Sequence, residues 1–220
     1  MNYIIQPHKI ERSKRKTLAL LINKEAELIV KAPLRCRDEQ IAKFIAANVK
    51  WILNKQQEAK NAKQNKIQLI NGEIINLLGK VYKVELTESN TCKLCEDILI
   101  VPKLNTRIKF IAFLKKLAKL HITNRVIHYS EMYNLTYKRI SITSAKTRWG
   151  SCSTNNALNF TYKLIFCPEQ VIDYVVIHEL CHTKQKNHSK NFWQLVEHIM
   201  PQYKNYRKWL KQNRMLIDII

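Results

Sequence analysis

The chain has 220 residues, 46% of them hydrophobic, which is enough to fill the core of one large domain or two small ones. No apolar run approaches the roughly 18 residues needed to cross a bilayer, so we expect a cytoplasmic protein with no signal peptide and no membrane span. The net charge of +21 would suit a polyanionic partner, but the basic residues are spread along the chain and form no nucleic-acid motif. We therefore expect at most weak, non-specific contact with nucleic acid.

Residues 1–102 are predicted to form a β-rich region around one helix. Short apolar runs at 17–22 and 28–31 lie on either side of a polar turn, which predicts a hairpin. The helix is predicted to begin near Asp38, because the apolar residues that follow recur at helical spacing as far as Leu53. Three further apolar-rich runs predict a meander of strands, at 67–70, 73–78 and 81–86.

The six cysteines are scattered along the chain, and we expect them to be free thiols. Cys92 and Cys95 form a C-x-x-C pair. A structural zinc knuckle would need a second pair or nearby histidines, and none follows before His121. We therefore interpret Cys92 and Cys95 as ordinary strand or turn residues.

The pattern becomes helical after Pro102, so we place a domain boundary near residue 103 and predict a second region over 103–220. Its predicted elements are a long amphipathic helix over 108–127, strands over 138–144 and 158–164, a helix entered at Cys167-Pro168-Glu169, and two short carboxyl-terminal helices. The sequence thus predicts an α+β protein.

The helix entered at Cys167-Pro168-Glu169 contains the stretch HELCH, in which His178 and His182 are four residues apart. Their imidazoles project from the same face, while Glu179 lies about 100° round the helix. In the H-E-x-x-H arrangement two such imidazoles hold Zn²⁺, and the carboxylate lies near a water on the metal without being a ligand. The two histidines share the apolar face with Tyr174 and Val175, which a solvated surface helix would not explain.

A catalytic zinc needs three protein ligands and one open position. His188 is a candidate for the third ligand, because a turn after His182 can fold it back and its spacing from His182 matches that of H-E-x-x-H-x-x-G-x-x-H proteases. Gln185 stands where those enzymes have glycine, so the turn must be made differently. The alternative third ligand is Glu197 on the following helix.

The chain closely resembles the YgjP-like metallopeptidase family, which is related to the SprT-like zincins. The segments that carry the resemblance are RSKRKTLAL (12–20), RWGSCS (148–153), LNFTYKLIFCPEQVIDYVVIHELCH (158–182), NHSKNFW (187–193) and PQYKNYRKWL (201–210). The resemblance implies a zincin-like catalytic domain, one zinc per chain held by His178, His182 and His188, and Glu179 as the general base.

These residues predict a zinc metallopeptidase, in which Glu179 assists attack on a peptide carbonyl by a zinc-bound water. Arg148 and Tyr162 are candidates for stabilising the oxyanion, and Gly150 could let a substrate backbone approach or could mark a bulge. One alternative is a nucleoside triphosphate pyrophosphatase; another is a nucleic-acid-associated protein with a structural metal site. The absence of a P-loop or a carboxylate cluster for Mg²⁺ favours the peptidase, and the intact Glu179 argues against a structural site.

Overall fold

The computed structural model describes residues 5–64 and 66–220, without the side chains of residues 62–64. Residues 1–4 lie outside the described residues, so the structure does not bear on the expected absence of a signal peptide there. The described residues form a mixed α+β fold, as predicted. Within them, no helix is both long enough and apolar enough to span a membrane.

The described part of the chain contains ten strands: β1 (Lys9–Ser13), β2 (Ala19–Ile22), β3 (Leu28–Pro33), β4 (Ile74–Leu77), β5 (Lys80–Thr87), β6 (Lys93–Cys95), β7 (Ile98–Pro102), β8 (Arg139–Thr143), β9 (Gly150–Cys152) and β10 (Ala157–Thr161). Its α-helices are α1 (Asp38–Ala47), α2 (Val49–Gln64), α3 (Thr106–Met132), α4 (Glu169–Cys181), α5 (Lys190–Ile199) and α6 (Tyr203–Gln212). Short 3₁₀ helices cover Tyr162–Phe166 and Arg214–Asp218.

The chain divides into two compact units, Met1–Lys66 and Ile67–Ile220. The boundary predicted near residue 103 therefore lies inside the second unit. The reason is that the apolar side of the sheet formed by β4 to β7 belongs to the same hydrophobic core as α3. Leu77 and Val101, for example, share that core with Phe110 and Leu114. The assignment of residues 103–220 to a separate zincin-like domain stays a prediction.

In the first unit, the predicted hairpin is confirmed as the antiparallel pair β2 and β3. Its turn is held by Asn23, whose side-chain oxygen accepts hydrogen bonds from the backbone N–H groups of Glu25 (3.0 Å) and Glu27 (2.8 Å). β1 pairs in parallel with the other edge of β3.

The single helix predicted after Asp38 is two helices, α1 and α2, which meet at Asn48. The Asn48 side chain donates a hydrogen bond to the carbonyl of Phe44 (2.8 Å), so it competes with the backbone for the acceptors of the last turn. The apolar spacing continues across this break, since Ile45 of α1 and Ile52 of α2 are buried in the same cluster as Val30 of β3.

The second unit begins with a four-stranded sheet in the order β4-β5-β7-β6, and β5 and β7 run parallel. Of the meander predicted over 67–86, the β4–β5 hairpin is present, but the first predicted strand is not. Residues 67–70 form no strand, because the carboxylate of Glu73 accepts the backbone N–H groups of Gln68 (3.0 Å) and Leu69 (2.6 Å). Those donors are then lost to sheet pairing. Cys95 ends β6, in line with its interpretation as a strand residue.

A second, three-stranded sheet in this unit has the order β8-β10-β9. β10 pairs in parallel with β8 and antiparallel with β9, so β9 is an edge strand among the described residues. The strand predicted over 138–144 is β8, and the strand predicted over 158–164 is β10, which ends at Thr161 because the chain turns into a 3₁₀ helix there. β9, within RWGSCS, was not predicted. The 3₁₀ helix at Tyr162–Phe166 follows β10, and Pro168 then adopts an extended conformation from which α4 starts.

Helix α4 is fixed to α3 by a buried ion pair. The guanidinium of Arg125 donates two hydrogen bonds to the carboxylate of Asp173, from Nε to Oδ1 (2.5 Å) and from NH2 to Oδ2 (2.7 Å). The hydroxyl of Tyr129 donates to the same carboxylate (3.0 Å). Asp173 is only 6% exposed, so these contacts set the position of α4 along α3.

We expect Asp173→Ala to lower the free energy of unfolding by about 3 kcal/mol, because it leaves the largely buried Arg125 charge without its main partner. The remaining carboxylate, on Glu169, is 4.0 Å away and half exposed. A suitable control is Glu88→Ala, which removes a carboxylate that is 83% exposed from a surface pair with Lys103. Urea unfolding of both variants tests this, and equal losses of stability would contradict it.

Candidate metal centre

Helix α4 supplies three of the candidate residues within about one turn: His178, Glu179 and, at its carboxyl-terminal cap, His182. The helix is buried on nearly all sides, because it packs against α3, α5, α6 and β9. From the sequence, only one core-facing side of this helix was expected. Burial all round the helix explains why Glu179, on a different side from the histidines, is only 6% exposed.

The structure brings His188 to the two histidines of α4. Its Nε2 atom lies 3.0 Å from Nε2 of His178 and 3.2 Å from Nε2 of His182. Nitrogens bound tetrahedrally to zinc at about 2.0–2.1 Å would be about 3.3 Å apart, so the observed spacing fits such a site. Glu197, the alternative third ligand, instead pairs with Lys204 (3.1 Å). Among the described residues, these three histidines form the group of side chains that could hold a metal ion.

The protonation of these histidines also fits a metal. Nδ1 of His182 lies 2.9 Å from the carbonyl oxygen of Gln185, which can only accept, so Nδ1 carries the proton and Nε2 keeps its lone pair. Burial lowers the pKa of His178 to about 3, and the neighbouring charges of His182, His188 and Arg207 act in the same direction. Burial also lowers the pKa of His182. Neutral imidazoles that converge in this way suit Zn²⁺ much better than Mg²⁺.

An aromatic wall orients the imidazoles. Phe192 stacks on His182 with ring centres 4.4 Å apart, and Trp193 stacks on His188 at 5.5 Å. The guanidinium of Arg207 lies 4.6 Å from the ring centre of Trp193. Phe192 and Trp193 were predicted only as part of a carboxyl-terminal helix, and Arg207 was not predicted at this site, because nothing local distinguishes that arginine from the many other basic residues of the chain.

Gly150 explains how Glu179 is placed. A Cβ atom at position 150 would lie 2.6 Å from Oε1 and 2.7 Å from Cγ of Glu179, which is closer than side chains can approach. The space that a side chain at position 150 would need is therefore filled by Glu179. The contact with Glu179 thus gives a third reason for glycine at position 150, besides the approach of a substrate backbone and a β-bulge. Burial raises the pKa of Glu179 to about 8, and the charge of Arg148 opposes this rise.

The two oxyanion candidates are placed differently. Arg148 is exposed and lines a cavity of about 300 Å³ together with Gly150, Ser151 and Asn159. Tyr162 is buried, and the charged groups at its ring are Lys115 and Lys163, each 5.9 Å from the ring centre. The structure thus gives Arg148, but not Tyr162, a position beside Gly150.

We expect Gly150→Ala to reduce hydrolysis by roughly 10²-fold, the effect of a displacement of about 1 Å at a catalytic group, while zinc binding stays near the wild-type level. The added methyl group must push the Glu179 carboxylate aside, and it removes no functional group. If Gly150 acts through Glu179, the double variant Gly150→Ala/Glu179→Gln should be no less active than Glu179→Gln alone. Additive losses in steady-state assays would contradict this explanation.

Three converging imidazoles beside a buried glutamate, in a mixed α+β unit, are the arrangement of a metallopeptidase-type domain. A family model described as "YgjP-like, metallopeptidase domain" matches residues 16–213, which is most of the chain. The chain therefore belongs to the YgjP-like family, as its sequence motifs indicated.

The chain is also similar to individual proteins over shorter stretches. It is 45% identical over 49 residues to the UTP pyrophosphatase of Escherichia coli (strain K12), a match that covers 20% of this chain and 29% of that protein. A crystal structure described as the metallopeptidase zymogen of Pyrococcus abyssi abylysin is 20% identical over 41% of this chain and 93% of its own. The TM-score of this match is 0.38.

Proposed function

We propose that the protein is a zinc-dependent hydrolase and that peptide bonds are its substrate. The observation that carries this proposal is the approach of the His188 Nε2 atom to within 3.2 Å of the Nε2 atoms of His178 and His182. The buried Glu179 directly follows His178 in α4. Membership of a metallopeptidase family supports the choice of peptide bonds.

In this proposal, His178, His182 and His188 hold one zinc ion, which when bound polarises the scissile carbonyl and acidifies water. The positive charge of that cation would favour the ionised form of Glu179, whose carboxylate accepts a proton from the attacking water and later passes it to the nitrogen of the leaving amine. The exposed guanidinium of Arg148 donates hydrogen bonds to the developing oxyanion. β9, an edge strand of its sheet among the described residues, offers backbone groups to an extended substrate, which provides binding without strong side-chain specificity.

A second candidate reaction is hydrolysis of a nucleoside triphosphate to the monophosphate and pyrophosphate. It is supported by the 49-residue similarity to a UTP pyrophosphatase, although the chain spans only 29% of that relative. Arg148 and Arg207, whose charges act on Glu179 and on His178 respectively, would also suit a polyphosphate. A purely structural metal site has less support, because it gives no role to a carboxylate buried beside the histidines.

A substrate screen distinguishes the two reactions. Zinc-loaded protein is incubated with a peptide library, followed by mass spectrometry, and separately with the four common nucleoside triphosphates, followed by pyrophosphate detection. Glu179→Gln, prepared in parallel, is the blank for contaminating enzymes. Peptide cleavage by the wild type alone supports the peptidase; pyrophosphate release by the wild type alone moves the assignment to the second reaction.

We also expect weak binding to nucleic acid and a location in the cytoplasm. The net charge of +21 suits weak, salt-sensitive binding to nucleic acid, and the cysteines, all free in the structure, suit the reducing conditions of the cytoplasm. Both stay predictions.

A further inference from the structure

The third candidate ligand, His188, lies on a segment with little backbone support. After α4, the chain continues in turns, because the N–H groups of Lys184 and Gln185 donate to the carbonyl of Cys181 (3.1 and 2.9 Å). The support resumes at Ser189, whose hydroxyl accepts the N–H of Phe192 at the start of α5 (3.3 Å). Between these ends, residues 186–188 make no backbone–backbone hydrogen bond with any other described residue.

The side chain of Lys186 ties this segment to a neighbouring hairpin. The ammonium group of Lys186 crosses to the turn between β9 and β10, where it donates to the side-chain oxygen of Asn156 and to the carbonyl of Ser153 (3.0 Å). It also lies 3.9 Å from the sulfur of Cys152. Charge-assisted hydrogen bonds of this kind are stronger than those between neutral groups.

The turn that receives Lys186 is well defined. Ser153 N–H donates to the carbonyl of Ala157 (3.0 Å), and Asn156 N–H donates to the carbonyl of Ser153 (3.1 Å). Asn156 has a φ of 60°, a left-handed conformation that asparagine and glycine tolerate. The strand that enters this turn begins at Gly150, which contacts Glu179. One hairpin therefore contacts both the carboxylate and the loop that carries His188.

We propose that Lys186 is a positioning residue for the metal centre: its tether to Asn156 and Ser153 holds His188 in register with the histidines of α4. This inference rests on the proposed metal site. Lys186 is not itself a ligand, because a protonated amine has no lone pair to donate.

The direction of the change in zinc affinity distinguishes the tethering role of Lys186 from the effect of its charge. Burial is the main cause of the lowered pKa of His182, and the positive charge of Lys186 acts in the same direction. Removal of a positive charge near a cation site would by itself strengthen metal binding. A loss of metal affinity on removal of Lys186 must therefore come from the lost tether, and outer contacts of this kind are typically worth about 10-fold in affinity.

The test compares the zinc affinity of four variants with that of the wild type, by competition with a chromophoric chelator. Lys186→Met removes the tether, and Lys186→Arg keeps the charge and the donors. Asn156→Gly removes the main acceptor but keeps the left-handed turn. Lys184→Met is the matched control, since Lys184 is exposed in the same loop and its side chain makes no hydrogen bond with the described residues.

We expect Lys186→Met to bind zinc about 10-fold more weakly, Asn156→Gly to weaken in the same direction, and Lys186→Arg and Lys184→Met to stay within about twofold of the wild type. The visible absorption of bound Co²⁺ should change in Lys186→Met, because the geometry of the histidines changes, while the melting temperature of the metal-free protein does not. The inference is overturned if both Lys186→Met and Asn156→Gly bind zinc as tightly as the wild type, or more tightly. A wild type that takes up no metal overturns the proposed function as well, so the two failures are distinguishable.

Discussion

Glu179→Gln should keep zinc near the wild-type level and lose hydrolysis by about 10²–10⁴-fold, the usual contribution of a positioned general base. Glutamine keeps the shape of the side chain and its contact with Gly150, but it cannot accept the proton from the attacking water. The measurement is a steady-state rate on whichever substrate the screen identifies, with the zinc content of the same preparation determined in parallel.

Two outcomes would contradict the role given to Glu179. Full activity of Glu179→Gln would mean that this carboxylate is not the base and that the zincin mechanism is wrong for this protein. Loss of zinc from the variant would mean that the carboxylate supports or binds the metal, and the ligand set of three histidines would need revision.

His188→Ala should lose far more zinc affinity than Glu197→Ala. The loss should exceed the roughly 100-fold that marks the upper range for outer-shell contacts, because it removes one of three direct donors. His188 is exposed, so its replacement should leave the core intact. Glu197 lies on the next helix and pairs with Lys204, so its removal should break only a surface ion pair.

Chelator competition measures both affinities, and melting curves of the metal-free variants check that each is folded. If Glu197→Ala loses more affinity than His188→Ala, the third ligand is the carboxylate and the close approach of the three imidazoles has another cause.

The parts of the site that could be predicted from sequence are those fixed by local geometry. His178, Glu179 and His182 lie within about one turn of a helix, so their spacing alone determines how they project. The two carboxyl-terminal helices were also predictable, because their apolar residues recur at helical spacing and Pro201 separates them. The grouping of His188 with the other two histidines agrees with the predicted ligand set, and metal binding itself stays a proposal.

The parts that could not be predicted depend on contacts between distant segments. The parallel pairing of β5 with β7 is set by the core it shares with α3, and no local pattern in either strand specifies its partner. The contact of Gly150 with Glu179 likewise appears only when β9 packs on α4. A glycine in a strand indicates a close approach of some group but does not identify that group.

The tether from Lys186 illustrates the same limit for a charged residue. In a chain with 38 lysines and arginines, one lysine between two candidate ligands carries no distinguishing signal. Its role depends on a hairpin about 30 positions earlier, which supplies the two oxygen acceptors.

The most direct test of the central claim, that the three histidines form a zinc centre, is a titration of metal-free wild-type protein with Zn²⁺ against a competing chelator, with elemental analysis of the product. The proposal predicts uptake of one tightly bound zinc per chain, since three neutral imidazoles with converging lone pairs form a strong site for this ion. Absence of zinc from the purified protein, together with no uptake on titration, would contradict it.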